Sequence, residues 1–193
     1  EDYPIALPFM ASAPLSIFDY DNNNDYRLFL PENDGNILCL DIDGKPVEGW
    51  SYESTGEIIL RPLEHLSING KDYLMSITDS GRIIALSRRG EERLNLEPRM
   101  YIGSHSPLKF EKGKSLNKSY IFSSDTSGNV LKLSLSGNLE TTVYKLIDGA
   151  HYFTCGDVDD DGATDYLLAD SNSLYVFDQH KIELFTTTFD ETI

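Results

Sequence analysis

Apolar residues along this chain come in short runs broken by clusters of Asp, Asn, Ser and Gly, the rhythm of strands and tight turns. The runs recur at a fixed interval. Tyr26, Tyr73, Tyr120 and Tyr166 each follow a polar residue and open an apolar run, at separations of 47, 47 and 46 residues. A turn cluster follows each, then a second apolar run: Ile37 to Leu40, Ile83 to Leu86, Val130 to Leu133 and Leu174 to Phe177. Another turn leads to a further strand candidate, as in Val47 to Trp50 and Ile182 to Thr186. Before each Tyr lies one more apolar stretch, beginning at Pro14, Pro62, Pro107 and Tyr152. The count is four short strands per repeat. No segment sustains helical periodicity with caps, which excludes an α/β fold.

Four antiparallel strands in a unit of 40 to 50 residues are the arithmetic of a β-propeller blade. The predicted fold is therefore all-β: one domain over 1–193 with four consecutive four-stranded blades of about 47 residues, at 11–57, 58–104, 105–149 and 150–190. Residues 1–10 match the outer strand of a preceding blade. The fourth repeat already has an outer strand of its own, so the chain is expected to be part of a larger propeller. A cut ring would expose apolar faces on its terminal blades, and self-association through them is expected.

Composition narrows the partners. The chain has 193 residues and a formal net charge of −16, with 16 Lys and Arg against 32 Asp and Glu. That balance excludes nucleic acid and anionic lipid, which are recognised through basic clusters. No apolar run approaches the roughly 20 residues of a spanning helix, so membrane insertion is not expected. The first residues lack the features of a signal peptide, so any export signal has been removed. Cys39 and Cys155 lie apart in apolar segments, and two buried free thiols are expected.

One loop carries chemistry. Asp157-Val158-Asp159-Asp160-Asp161-Gly162-Ala163-Thr164-Asp165 reads D-x-D-x-D-G-x-x-D. Calcium takes six to eight oxygens, and carboxylates at alternate positions of a turning loop bring them to one point. Asp157, Asp159, Asp161 and Asp165 are the predicted side-chain ligands, with the Ala163 carbonyl. An EF-hand needs Glu at the twelfth position, which here is Leu168, and flanking helices. The ion is expected to fix the hairpin, with no open cleft beside it. The first repeat has an analogue in Asp19, Asp21, Asn23 and Asp25, with Asn24 able to adopt the left-handed conformation that Gly162 serves. Counted to the marker tyrosine it is two residues shorter. A weaker metal site and a tight Asx-turn network both fit it. The corresponding loops of the second and third repeats lack the spacing. Asp41-Ile42-Asp43-Gly44 reads as a turn only.

Asp157 to Asp165, followed by Tyr166 to Asp170 and Leu174 to Asp178, resembles the FG-GAP/VCBS propeller repeats, whose calcium loops occur in integrin-type and bacterial surface proteins. Gly81 to Leu86 followed by Arg89-Gly90-Glu91 looks like PQQ-type and WD-like blades. The characteristic Phe-Gly start is absent, since Phe153-Thr154-Cys155-Gly156 keeps only its outline. The resemblance implies a fold and a cation more firmly than an activity.

Arg61, His105 and His151 precede first strands, which in propellers lie near the central channel, and are candidates for an anionic or sugar ligand. His65 is expected to pack within a strand and His180 to sit in an exposed turn. No nucleophile–base pair or catalytic motif is legible, so no hydrolase activity is expected. Two function classes follow. One is a non-enzymatic interaction module of an extracellular, periplasmic or cell-surface protein, with a protein or carbohydrate partner. The alternative is part of a propeller enzyme, a quinoprotein dehydrogenase or polysaccharide lyase.

Overall fold

The computed structural model describes residues 6, 7, 9–147 and 150–190. The outer strand expected over residues 1–10 falls largely outside them. The chain forms two compact units, Glu1–Arg99 and Met100–Ile193. Each holds two antiparallel sheets in which chain neighbours are sheet neighbours.

The first unit contains β1 (Ser16–Phe18), β2 (Arg27–Pro31) and β3 (Ile37–Leu40) in one sheet, and β4 (Glu64–Ile68), β5 (Lys71–Ile77) and β6 (Ile83–Leu86) in the next. The fourth strand of both repeats is shortened to a bridge. Leu40 pairs with Pro46 and Leu86 with Glu92, continued by Val47 N–H to Cys39 O at 3.0 Å and Arg93 N–H to Ala85 O at 2.7 Å. Val47 to Trp50 does not form the predicted strand. Pro46 has no N–H to donate, and Gly49 turns the chain at φ 82°.

The second unit contains β7 (Lys109–Glu111), β8 (Tyr120–Ser124), β9 (Val130–Ser134) and β10 (Leu139–Thr142), then β11 (Tyr152–Gly156), β12 (Asp165–Ala169), β13 (Ser173–Phe177) and β14 (Glu183–Thr188). Both sheets are four-stranded. Gly103 N–H donates to Ser124 O. No helix among the described residues is long and apolar enough to cross a membrane.

The hairpin turn between the second and third strands is nearly the same in three repeats. Glu32, Thr78 and Asp125 each donate N–H to the carbonyl four residues on, and accept from a Gly N–H three residues on. Gly35 is one of these glycines, at φ 82°, and a Cβ there would stand 2.6 Å from Glu57 O. Both the turn and the strap over it require glycine.

The core of each unit lies between its sheets. In the first, Phe29, Ile37 and Cys39 face Leu74, Ile84 and Leu86, with Ile59 and Leu63 beside them. In the second, Phe122 and Val130 meet Phe153, Tyr166 and Leu168. Cys39 is buried, whereas Cys155 is only half-buried. Both thiols are pushed up to about 12 by burial, which removes thiolate character at neutral pH. Trp50 closes the first core. Its ring meets Phe29 at 5.2 Å, and its Nε1–H donates to Ile37 O at 2.8 Å. Trp50→Phe should cost about 1–2 kcal/mol, the loss of one half-buried hydrogen bond with most of the ring packing kept, measured by urea unfolding.

Candidate metal centre

Residues 157–164 join β11 to β12, closed by the pair Gly156 and Asp165. Their backbone is shaped by their own side chains. Asp157 accepts from Asp161 N–H at 3.1 Å and Gly162 N–H at 2.9 Å, one bond on each oxygen. Asp161 Oδ1 accepts from Ala163 N–H at 2.7 Å. Asp165 Oδ2 accepts from Val158 N–H at 2.8 Å. Asp160 and Gly162 take left-handed φ values of 63° and 83°, tolerable for Asp and natural for Gly.

This arrangement brings ligand oxygens of Asp157, Asp159 and Asp165 within 4.8 Å of one another. Asp161 is not in that group, because its carboxylate is turned to the Ala163 N–H. Asp165 is 1% exposed. Among the described residues no Lys, Arg or His forms an ion pair with any of these carboxylates. Desolvation within the loop, followed by repulsion from Asp161, Asp165 and Asp157, holds the Asp159 carboxyl above its usual range. A convergent all-oxygen set of carboxylates has the donor chemistry of a hard-cation site. Carboxylate oxygens carry two lone pairs each, so those bonded to one N–H keep one for an ion.

The first-repeat loop is a conformational copy. Asp19 accepts from Asn23 N–H at 3.1 Å and Asn24 N–H at 2.9 Å, and Asn23 Oδ1 accepts from Asp25 N–H at 3.0 Å. Asn22 and Asn24 are left-handed, at φ 52° and 66°. The loop is not two residues short. Phe18 pairs with Arg27 as Gly156 pairs with Asp165, so the two connections have equal length. The marker Tyr26 misleads because it precedes β2 and is 38% exposed, whereas Tyr73 and Tyr166 are buried within strands.

With the loops in register, Arg27 stands at the position of Asp165. Its guanidinium binds Asp25 through both nitrogens, with Nη2 to Oδ2 at 2.9 Å. That hydrogen bond, with the guanidinium's charge, holds the Asp25 carboxyl below its usual range. Asp21, the counterpart of Asp159, is taken by Arg88 Nη1 at 2.9 and 3.0 Å. The first loop thus carries internal cations where, among the described residues, the fourth has none.

Arg88 continues a chain across the first unit. Its Nε donates to Asp72 Oδ2 at 2.6 Å, and Asp72 Oδ1 meets His65 Nε2 at 2.8 Å. The Arg88 guanidinium lies 4.5 Å from the centroid of Tyr20, whose ring meets His65 edge-on at 5.0 Å. Burial alone would raise the Asp72 carboxyl, but bonds from His65 and Arg88 and the Arg88 charge outweigh it and hold it below its usual range. Sequence spacing does not reveal this network, since Asp21 and Arg88 are 67 residues apart.

No protein-family profile matches the chain, and no curated protein matches it. Solved structures do. A chain of the crystal structure of BBS1N in complex with ARL6DN, soaked with lead, aligns over 98% of this chain and 54% of its own length, at 12% identity and a TM-score of 0.62. BamB from Moraxella catarrhalis aligns over 93% of this chain and 50% of its own, at 17% identity and 0.53. The V. cholerae biofilm matrix protein Bap1 aligns over 95% and 32%, at 14% identity and 0.51. The fold is propeller-like. The chain spans about half the length of the first two structures it matches.

The remaining candidates separate. His105 is exposed against Tyr152, ring centroids 5.1 Å apart. His151 is buried, and its Nε2 lies 2.9 Å from Ser124 Oγ, itself 2.6 Å from Ser106 Oγ. The fold therefore does make a serine–histidine contact that the sequence spacing hides. Ser106 and Ser124 are fully buried, so the contact is a hydrogen-bonded link inside the unit. Arg61 is half-buried, donates to Leu60 O at 3.0 Å, and is lowered by desolvation. A cleft of about 300 Å³ lies beside the 162–164 segment of the acidic loop, lined by Gly162, Ala163 and Thr164 together with residues of the third sheet and by none of the loop's carboxylates. The sequence hides this because the facing wall comes from another repeat.

Two outcomes follow from these contacts. Asp72→Asn should cost about 1–3 kcal/mol at pH 7, as for other hydrogen bonds to charged groups. Because the folded-state pKa is depressed, this contribution is present above the ordinary Asp value near 4 and lost as pH falls through the folded value. The gap between wild type and variant in chemical denaturation should therefore close on acidification. Arg27→Asp should lower the melting temperature in chelator, and added calcium should restore part of the loss by filling the place of the guanidinium.

Proposed function

We propose that this chain is an interaction module of a secreted or cell-surface protein, a propeller segment of FG-GAP/VCBS type with calcium holding the 157–165 loop. The observation that carries the reading is the convergence of Asp157, Asp159 and Asp165 without a protein cation among the described residues. These three side chains would hold the ion, with further oxygens from the loop. Calcium supplies charge neutralisation and stiffens the hairpin. The Asp157 and Asp165 carboxylates already orient the backbone through their N–H bonds, so the loop is shaped in advance of binding.

Extracellular calcium is millimolar, the range in which extracellular modules bind at about 0.1–1 mM. The similarity to BBS1N, crystallised with ARL6DN, and to a biofilm matrix protein supports a scaffold that presents a face to a protein or carbohydrate partner. Self-association through a terminal repeat is supported by β14, all of whose residues are exposed, Leu184 and Phe185 among them.

Thermal unfolding in calcium and in chelator tests the centre. A ligand at 100 times its dissociation constant stabilises by about 2.7 kcal/mol, so the wild type should melt several degrees higher in calcium, and Asp159→Ala should lose that response. Superimposed wild-type scans at saturating calcium would overturn the assignment.

A further inference from the structure

The cleft beside the acidic loop has a chemistry of its own. It lies in the second unit between the third and fourth sheets, with Glu111 of β7 and Lys132 of β9 on one side and the 162–164 segment and Gln179 on the other. Its volume of about 300 Å³ is at the small end for ligand sites and suits one sugar-sized ring. The rings at its base, Phe122 and Tyr166, are 1% and 4% exposed. What faces the cleft is therefore mostly polar. The acidic loop turns Gly162, Ala163 and Thr164 toward it, and the carboxylates of Asp157, Asp159 and Asp165 do not line it.

Lys132 is the unusual member. Its ammonium lies 4.3 Å from the Tyr120 ring centroid and 5.6 Å from that of Phe122, a cation–π seat that fixes its position. Two carboxylates stand near it by topology, and both are turned elsewhere. Glu140, opposite Lys132 in the β9–β10 register, accepts from Asn138 Nδ2 at 3.2 Å. Glu111 accepts the Thr164 hydroxyl at 2.5 Å. Among the described residues no carboxylate pairs with Lys132, in a chain with twice as many acidic as basic residues.

We propose that this cleft binds a carboxylate-bearing sugar, a hexuronate, either free or as a residue of a polysaccharide. The ligand carboxylate meets the Lys132 ammonium. Ring hydroxyls donate to Glu111 and exchange hydrogen bonds with the Gln179 amide, which offers both donor and acceptor. A neutral hexose leaves the seated ammonium unanswered, and a simple carboxylate leaves the polar walls unused. This site goes beyond the scaffold reading and does not require an ion in the loop, which the calcium scans test separately.

Isothermal titration of the whole chain tests it, with glucuronate, galacturonate, a short oligo-uronide, glucose and acetate as probes. At least one uronate should bind about tenfold or more tighter than glucose and acetate. Lys132→Met, which keeps an unbranched stem over the rings, should remove that preference, and Gln179→Ala should weaken uronate binding. Melting curves of both variants establish that they fold. Tighter binding of the oligomer than of the free acids assigns the source to a polymer, and equal binding assigns it to the monosaccharide. No uronate binding up to about 10 mM, acetate binding as tightly as the uronates, or a Lys132→Met variant that binds uronates like the wild type would overturn the proposal.

Discussion

A sheet of three or four short strands has two faces, and in this protein both tend to be apolar. Ile83, Ile84, Ala85 and Leu86 of β6 are all buried although neighbours along a strand point to opposite sides. Such a sheet is not stable by itself. It becomes so when a second sheet covers one face, and the interior of each unit is that coverage: Phe29 and Ile37 against Leu74 and Ile84 in the first, Phe122 against Tyr166 and Leu168 in the second. The turns, straps and loops are arranged around this packing. The segment 52–57 shows how closely, since it runs so near Gly35 and Gly90 that a Cβ at either would meet backbone at 2.6 Å.

The loops at the open ends of the sheets solve a different problem. Gathering several carboxylates into one short connection costs electrostatic energy that something must offset. Two repeats build nearly the same backbone loop, with an Asp binding the two N–H groups at its far side and a left-handed residue at equivalent places. They then answer the charge in opposite ways. In the first repeat Arg27 and Arg88 supply it, and Arg88 also joins the loop to the neighbouring sheet through Asp72. In the fourth the position of Arg27 is Asp165, and among the described residues no Lys, Arg or His pairs with the converging carboxylates. The contrast makes each loop the control for the other.

Packing two sheets side by side also creates walls that belong to neither. The cleft near Gly162 to Thr164 arises in this way, because Glu111 and Lys132 reach it from the third sheet while Gln179 comes from the fourth. The buried contact between Ser124 and His151 has the same origin, joining the end of β8 to the residue before β11.

The order of strands and their positions were legible in the chain alone. Ile37–Leu40 and Ile83–Leu86 coincide with β3 and β6 residue for residue, because a short apolar run between two turns has one way to pair with its neighbour. The carboxylate pattern from Asp157 to Asp165 was equally local, and three of its four side chains converge. Outer strands were less legible, since Pro46 and Gly49 weaken the first one and edge pairing receives no help from a second neighbour. The length of the first loop is hidden in the sequence because Tyr26 imitates the strand tyrosines. Asp19 and Arg27 have the same spacing as Asp157 and Asp165, and only strand register shows that this spacing is the meaningful one. Asp161 turned back on Ala163, Arg88 reaching Asp21, and Lys132 seated on two rings were decided by tertiary structure. Hydrogen bonds and ion pairs between repeats depend on distances that packing sets, and a linear pattern carries no record of them.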